Sequence, residues 1–208
     1  MDACTNMVNT TPEEINETTI TLIPFEGPES SPPWSIVSRI SLKSDGILHI
    51  TWNLSGPIRQ RAVIPKSAES PSRLDGLWRH TCFECFLSLR CEESYWELNA
   101  SPSGDWALYR LSDYRAGMVD EDGPADELAV DVRRGGGGLS ASIRINLADI
   151  LPGAKSPWEL RDQLVLSPTA VLELTDGSHI FFARVHPKEE PDFHDRGAFA
   201  TIEDMKPP

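Results

Sequence analysis

The stretch IVSRISLKSDGILHITWNL, residues 36–54, decides the fold class. Two runs that alternate apolar and polar residues flank Lys43-Ser44-Asp45-Gly46, a turn signal. In the second run Leu48, Ile50, Trp52 and Leu54 fall on one side, which predicts a strand with a core face. The same pattern recurs outward along the chain. ITLIP (20–24), CFECFLSLR (82–90), YWELNA (95–100), DWALYRL (105–111), LAVDVRR (128–134), LSASIRINL (139–147), VLSPTAVLELT (165–175), HIFFARV (179–185) and AFATI (198–202) all read as strands. Ser101–Gly104, four glycines at 135–138 and Asp176-Gly177-Ser178 supply turns. No long stretch has helical period, and the helix candidates are brief, such as Leu147–Leu151. About ten antiparallel strands with Gly/Pro turns predict an all-β sandwich, with a barrel as second choice.

The chain is 208 residues long, enough for one domain with a tail. Residues 1–18 are polar, acidic and unpatterned and are expected to be disordered, with the domain at 19–205. The formal charge of −13 excludes nucleic acid and an anionic membrane surface as partners. The stretch before Arg39 and the run 120–127 carry −11 of it, which leaves −2 for the rest. The first residues have neither a basic start nor an apolar core, so no signal peptide is expected and a cytoplasmic location is. Oligomeric state is not legible.

The hairpin 95–111 carries the first candidate site. With Ser101–Gly104 as the loop, Ala100 pairs with Asp105, Glu97 with Leu108 and Tyr95 with Arg110. One face then holds Trp96, Leu98, Ala100, Ala107, Tyr109 and Leu111, a core face. The other holds Tyr95, Glu97, Asn99, Trp106, Leu108 and Arg110. Aromatics beside an acid, an amide and a guanidinium suit a sugar, whose C–H face packs on a ring while its hydroxyls take charge-assisted hydrogen bonds. The same residues also fit a solvated outer face with an Arg110–Glu97 pair. A one-residue slip of the register would exchange the two faces.

In 82–90, Glu84 shares a face with Phe86 and Ser88, opposite Cys85 and Leu87. A lone acid in an apolar strand needs a partner or a ligand. Trp78 and His80 lie just upstream; six extended residues span roughly 20 Å, so Trp78 reaches Glu84 only from a folded-back loop.

Three blocks, GLWRHTCFECFL (76–87), YWELNASPSGDWALYRLSDYRAGM (95–118) and HPKEEPDFHDRGAF (186–199), resemble the bacterial DOMON-like proteins, grouped with type 9 carbohydrate-binding modules. LIPF (22–25) and DGLW (75–78) fit the same pattern, so the resemblance covers about 19–203. It implies a β-sandwich that binds a ligand without catalysis. It implies a sugar held between aromatic walls, with Trp78 and Glu84 at the matching wall and acid and Asn99 at a second polar position. The second wall departs from the pattern: the late strand reads Phe181-Phe182-Ala183, which leaves Phe182, or else Trp158, to stack. The expected site is therefore Trp78, Glu84, Glu97, Asn99, Trp106, Arg110 and Phe182, with no cofactor or metal. An intracellular glycan, sugar nucleotide or cell-wall precursor would suit a cytoplasmic protein.

Other chemistry is weaker. Cys82 and Cys85 point to opposite faces of a strand and can neither chelate one ion nor pair. Haem is the alternative the resemblance raises, since other DOMON domains hold it through His and Met; Met118, His186 and His194 are the available ligands. His186 and the Asp192–His194 pair also read as locks on the crossing into the last strand. The four glycines lack the Lys-Ser/Thr of a phosphate loop. Glu84 and Glu97 would serve as a hydrolase pair only at a suitable separation. A third alternative is an interaction domain with no small ligand.

Overall fold

The computed structural model describes residues 13–25, 33–121, 128–151 and 156–206. Its strands are β1 (Glu14–Pro24), β2 (Ser35–Lys43), β3 (Ile47–Ser55), β4 (Cys82–Leu89), β5 (Tyr95–Ala100), β6 (Trp106–Leu111), β7 (Val119–Asp120), β8 (Asp131–Gly135), β9 (Gly138–Asn146), β10 (Leu164–Glu173) and β11 (His179–Ala183). Three short helices, α1 (Ile58–Arg61), α2 (Leu147–Ile150) and α3 (Pro157–Gln163), are the α-helices among the described residues. The strands form one antiparallel sheet in the order β7-β6-β5-β4-β10-β11-β1-β2-β3-β9-β8. The protein is thus nearly all-β, as predicted. The two faces expected of a sandwich belong to a single sheet that curls, because β1 pairs with β2 along its length and with β11 at Ile23 and Pro24.

The core lies inside the curl. Leu48, Ile50, Trp52 and Leu54 are buried together, as their alternation predicts, against Phe83, Cys85 and Leu87 of β4 and Leu98 of β5. The Trp52 and Phe83 rings stack with centroids 5.8 Å apart and tie one end of the sheet to the other. β4, β5 and β10 are buried on both faces along nearly their whole length. Their second face packs in a separate cluster of Phe86, Tyr95, Ala107, Tyr109 and Leu111 with Leu77, Trp78, Phe193 and Phe199. The segment 186–199 covers that face.

Several expectations are corrected. β1 begins at Glu14, so residues 14–18 are paired strand and not tail; residues 1–12 lie outside the described ones. Residues 198–202 do not extend; Arg196–Ala198 is a single 3-10 turn, and Ala200 makes only an isolated bridge to Leu166. Helix α3 was readable: Ser156 caps it by accepting from the Glu159 N–H at 3.2 Å, with Pro157 in the first turn. At Gly136 and Gly137, φ is +58° and +84°, a two-residue hairpin turn that wants glycine at both places.

The register of the 95–111 hairpin is the correction that matters most. Ala100 pairs with Trp106, not Asp105, and Glu97 with Tyr109. Asp105 is held in the loop: its carboxylate accepts from Ser103 Oγ at 2.6 Å and from the Ser72 N–H at 3.0 Å. Side-chain hydrogen bonding thus lengthens the loop by one residue, and every residue of β6 turns to the other face.

Phe83 carries the stack that joins the two ends of the sheet. Phe83→Ala is expected to lower unfolding stability by about 3–5 kcal/mol, read from the urea midpoint at unchanged slope.

Candidate functional site

The second face of β4, β5, β10 and β11 forms the floor of a cleft. Glu84 stands on β4 directly across from Asn99 of β5 and Thr169 of β10. Glu97 follows on the same face of β5, two residues from Asn99. Both acids are deeply buried, at 2% and 5% exposure. Asn99 Nδ2 donates to Glu97 Oε1 at 2.9 Å, and Cys82 Sγ donates to Asn99 Oδ1 at 3.5 Å. Glu84 Oε1 has no hydrogen-bond partner among the described residues.

Trp78 forms one wall. Gly76, with φ +74°, starts the 3-10 turn Leu77–Arg79 and folds the chain back over β4. The Trp78 ring stands edge-on to Tyr109 at 5.6 Å, and Tyr109 donates its hydroxyl to Asp75 Oδ1 at 2.9 Å. The opposite wall is Phe181 of β11 with Phe193 of the cover, 5.9 Å apart and nearly perpendicular.

The cover hangs on Asp192. Its buried carboxylate accepts from Lys188 Nζ at 2.5 Å, Tyr114 Oη at 2.7 Å, Arg115 Nη2 at 2.9 Å and the His194 N–H at 3.2 Å. Burial alone would raise this carboxyl, but the donors outweigh it and hold it well below the carboxylate range. Arg115 sits at φ +52°, a left-handed conformation that costs a non-glycine residue about 1–2 kcal/mol. It is stabilised there by Asp192 and by its own N–H, which donates to Tyr95 Oη at 3.1 Å. Tyr95 Oη in turn meets His194 Nδ1 at 2.7 Å, and His194 Nε2 faces Glu97 Oε2 at 3.9 Å. With the Arg115 N–H given to the Tyr95 oxygen, we assign the Tyr95 proton to His194 Nδ1, which leaves Nε2–H toward Glu97.

Between these parts lies a cavity of 370 Å³, bounded by Trp78, Glu84, Glu97, Arg115, Phe181 and His194 among others. Its two acids and its histidine favour their neutral forms. Burial, and then the charge of Glu97, push the Glu84 carboxyl well up; burial raises Glu97 too, against the pull of Asn99 and Arg115. Burial, with Arg115, lowers His194 to about 4. Burial also raises the Cys82 thiol, so this cysteine is no nucleophile at neutral pH.

Of the residues expected at the site, the fold brings Trp78, Glu84 and Glu97 to the cleft. Asn99 lies behind Glu97 and orients it. Trp106 and Phe182 do not join them: both sit in the main core on the opposite face. Phe181, one residue earlier, takes the wall position. Arg110 lies outside, beside Glu121 at 3.5 Å, and makes no pair with Glu97. Trp158 is 52% exposed on α3, away from the cleft. Of the haem candidates, Met118 and His194 line the cleft, but His186 donates to the Ile23 carbonyl at 3.0 Å and packs on Phe25. No group of three metal-ligating side chains occurs among the described residues, and no described helix is long and apolar enough to cross a membrane. Sequence reasoning missed Arg115, Phe181 and Phe193. Alternation along 179–183 carried the signal for Phe181; the other two are placed by Asp192, which no local pattern announces.

A larger groove of 850 Å³ lies on the outer side of β3, β8 and β9, bordered by Lys43, His49, Asp131, Arg144 and Asp149. Its charges are mixed, whereas the smaller cleft holds the buried acids.

No protein-family profile matches the chain, and no curated protein does. A solved structure from Bacteroides uniformis, of a protein named for a proposed role in carbohydrate binding, is similar in fold: the TM-score is 0.62, over 89% of this chain and 84% of that one. At 12% identity the likeness shows the fold alone.

The protonation pattern sets a pH dependence. Both carboxyl groups keep their protons to higher pH in the folded state than in the unfolded chain, so stability falls as pH rises above the ordinary carboxylate value of 4.5. His194 acts on the acid side, where stability falls as pH drops from 6.5 to about 4. Glu84→Gln is expected to raise the melting temperature at pH 8 and to flatten its decline between pH 5 and 8. An unchanged slope would show that Glu84 carries no such burden.

Proposed function

We propose that the cleft binds a carbohydrate and that the protein is a ligand-binding module, not an enzyme. The observation that carries this reading is the placement of Glu84 and Glu97 at the foot of a cleft walled by Trp78, Phe181 and Phe193. Aromatic faces suit the C–H surface of a sugar ring, and carboxyl oxygens fix its hydroxyls. A volume of 370 Å³ lies at the small end of ligand sites and fits one or two sugar units better than a long chain. The fold similarity to the Bacteroides uniformis protein points the same way. The three sequence blocks all converge on this cleft: 76–87 supplies Trp78 and Glu84, 95–118 supplies Glu97 and Arg115, and 186–199 supplies Phe193 and His194. This convergence supports our proposal of a distant kinship with the DOMON-like and type 9 carbohydrate-binding modules.

Titration calorimetry against a panel of mono- and disaccharides tests the reading. At least one is expected to bind at millimolar concentration or tighter. Trp78→Ala is expected to weaken it by roughly tenfold, the loss of one stacking wall. Arg110→Ala, outside the cleft, leaves affinity unchanged. A panel that shows no binding at millimolar concentration overturns the proposal.

A further inference from the structure

The two buried acids are more than a sugar's hydroxyls require. A hydroxyl needs one good acceptor, and a single carboxylate provides it. Here two carboxyl groups share one apolar pocket, diagonal neighbours across β4 and β5. Among the described residues neither is ion-paired to a lysine or arginine. The charged and titratable groups that face them are few. From β4 comes Cys82; from β5, Tyr95; from β6, Tyr109, directly across from Glu97 and raised by burial; from the turn after β6, Arg115; from the cover, Asp192 and His194. Arg115 directs its guanidinium to Asp192 at 2.9 Å. Lys188 does the same at 2.5 Å. His194 is neutral near pH 7. β10 and β11 contribute Thr169, Val171 and Phe181, none of which titrates. Glu84 Oε1 is buried, unpartnered and borders the cavity.

Such a pair is stabilised by a cation that enters with the ligand. The aromatic walls are compatible with this, because ring faces attract positive charge. We propose that the sugar taken by this cleft carries a positively charged amino group, seated between Glu84 and Glu97. The inference rests on the carbohydrate reading and names the class of sugar within it. Binding has a proton balance. Where the pair holds a proton in the empty cleft, arrival of the ammonium turns that carboxylic acid into a carboxylate and releases the proton to solvent. A neutral sugar leaves it in place.

The test uses the full chain and three matched sets: glucose, galactose and mannose; their 2-amino counterparts; and the N-acetylated amino sugars. Calorimetry at about pH 6.5, where amines of this kind are protonated, is run in two buffers of different ionisation enthalpy. The expected result is an amino sugar that binds about ten- to a hundredfold tighter than both its neutral and its N-acetylated partner, with proton release. Glu84→Gln, checked for folding by its melting temperature, is expected to weaken neutral sugars severalfold and amino sugars far more, so that both the preference and the proton release are lost. If a neutral sugar binds as tightly as its amino counterpart, or no proton is released, the inference falls and the carbohydrate reading stands. If no sugar of any set binds, both fall. A simple amine such as cyclohexylamine that binds when no sugar does also overturns both.

Discussion

Strand β4 is covered on both sides, and the rest of the molecule is arranged around that fact. One face meets the far end of the curled sheet through Phe83, Cys85 and Leu87. The other lies under the segment 186–199. A strand buried twice cannot place a polar residue anywhere cheap, since a buried polar group without a partner costs about 1–3 kcal/mol. Yet β4 and β5 carry Glu84, Glu97 and Asn99 on the covered side. The apolar core of the curl is large enough to hold the sheet together while these residues sit in an unfavourable place. The main core and the cleft are therefore on opposite faces of the same strands.

The cover depends on one carboxylate. Asp192 gathers Lys188, Tyr114, Arg115 and the His194 N–H, and so joins the turn after β6 to the segment that closes the cleft. Through Arg115 and Tyr95 the same set reaches His194, which faces Glu97. A buried acid that its donors hold ionised thus orders a set of groups for which burial favours the neutral form. Tyr95 is the part common to both, since its hydroxyl touches the Arg115 backbone and the His194 ring.

Alternation along 36–54 was enough to predict two core strands and their turn, because one face there is apolar and the other polar. The same rule reached its limit at 95–111, where both faces are buried and both are mixed. There the face of Trp106 and Arg110 turned on a single residue, Asp105, whose carboxylate belongs to the loop. The rule could not weigh that, because the partner Ser72 lies far away in sequence. Trp78 and Glu84 were legible for a different reason: an acid in an apolar strand asks for an explanation, and a tryptophan just before it offers one. Phe181 against Phe182 was again a question of which face, decided by the pairing of β11 with β10. Phe193 and Arg115 depend on contacts across the chain, which no short window contains.

The cleft is assembled from parts that leave the ribosome far apart in time. Trp78 and Glu84 emerge early, Glu97 and Arg115 follow, and the β10 strand that lies beside β4 comes much later. Phe193 and His194 follow later still. Until then the second face of β4 and β5, with Phe86, Tyr95 and Tyr109, has nothing to cover it. Such non-local pairing folds slowly. A nascent chain halted before residue 186 would present that aromatic surface to its surroundings, a target for chaperones or for other unfinished chains. The stretch 186–199 thus both closes the cleft and ends the exposure of that aromatic surface.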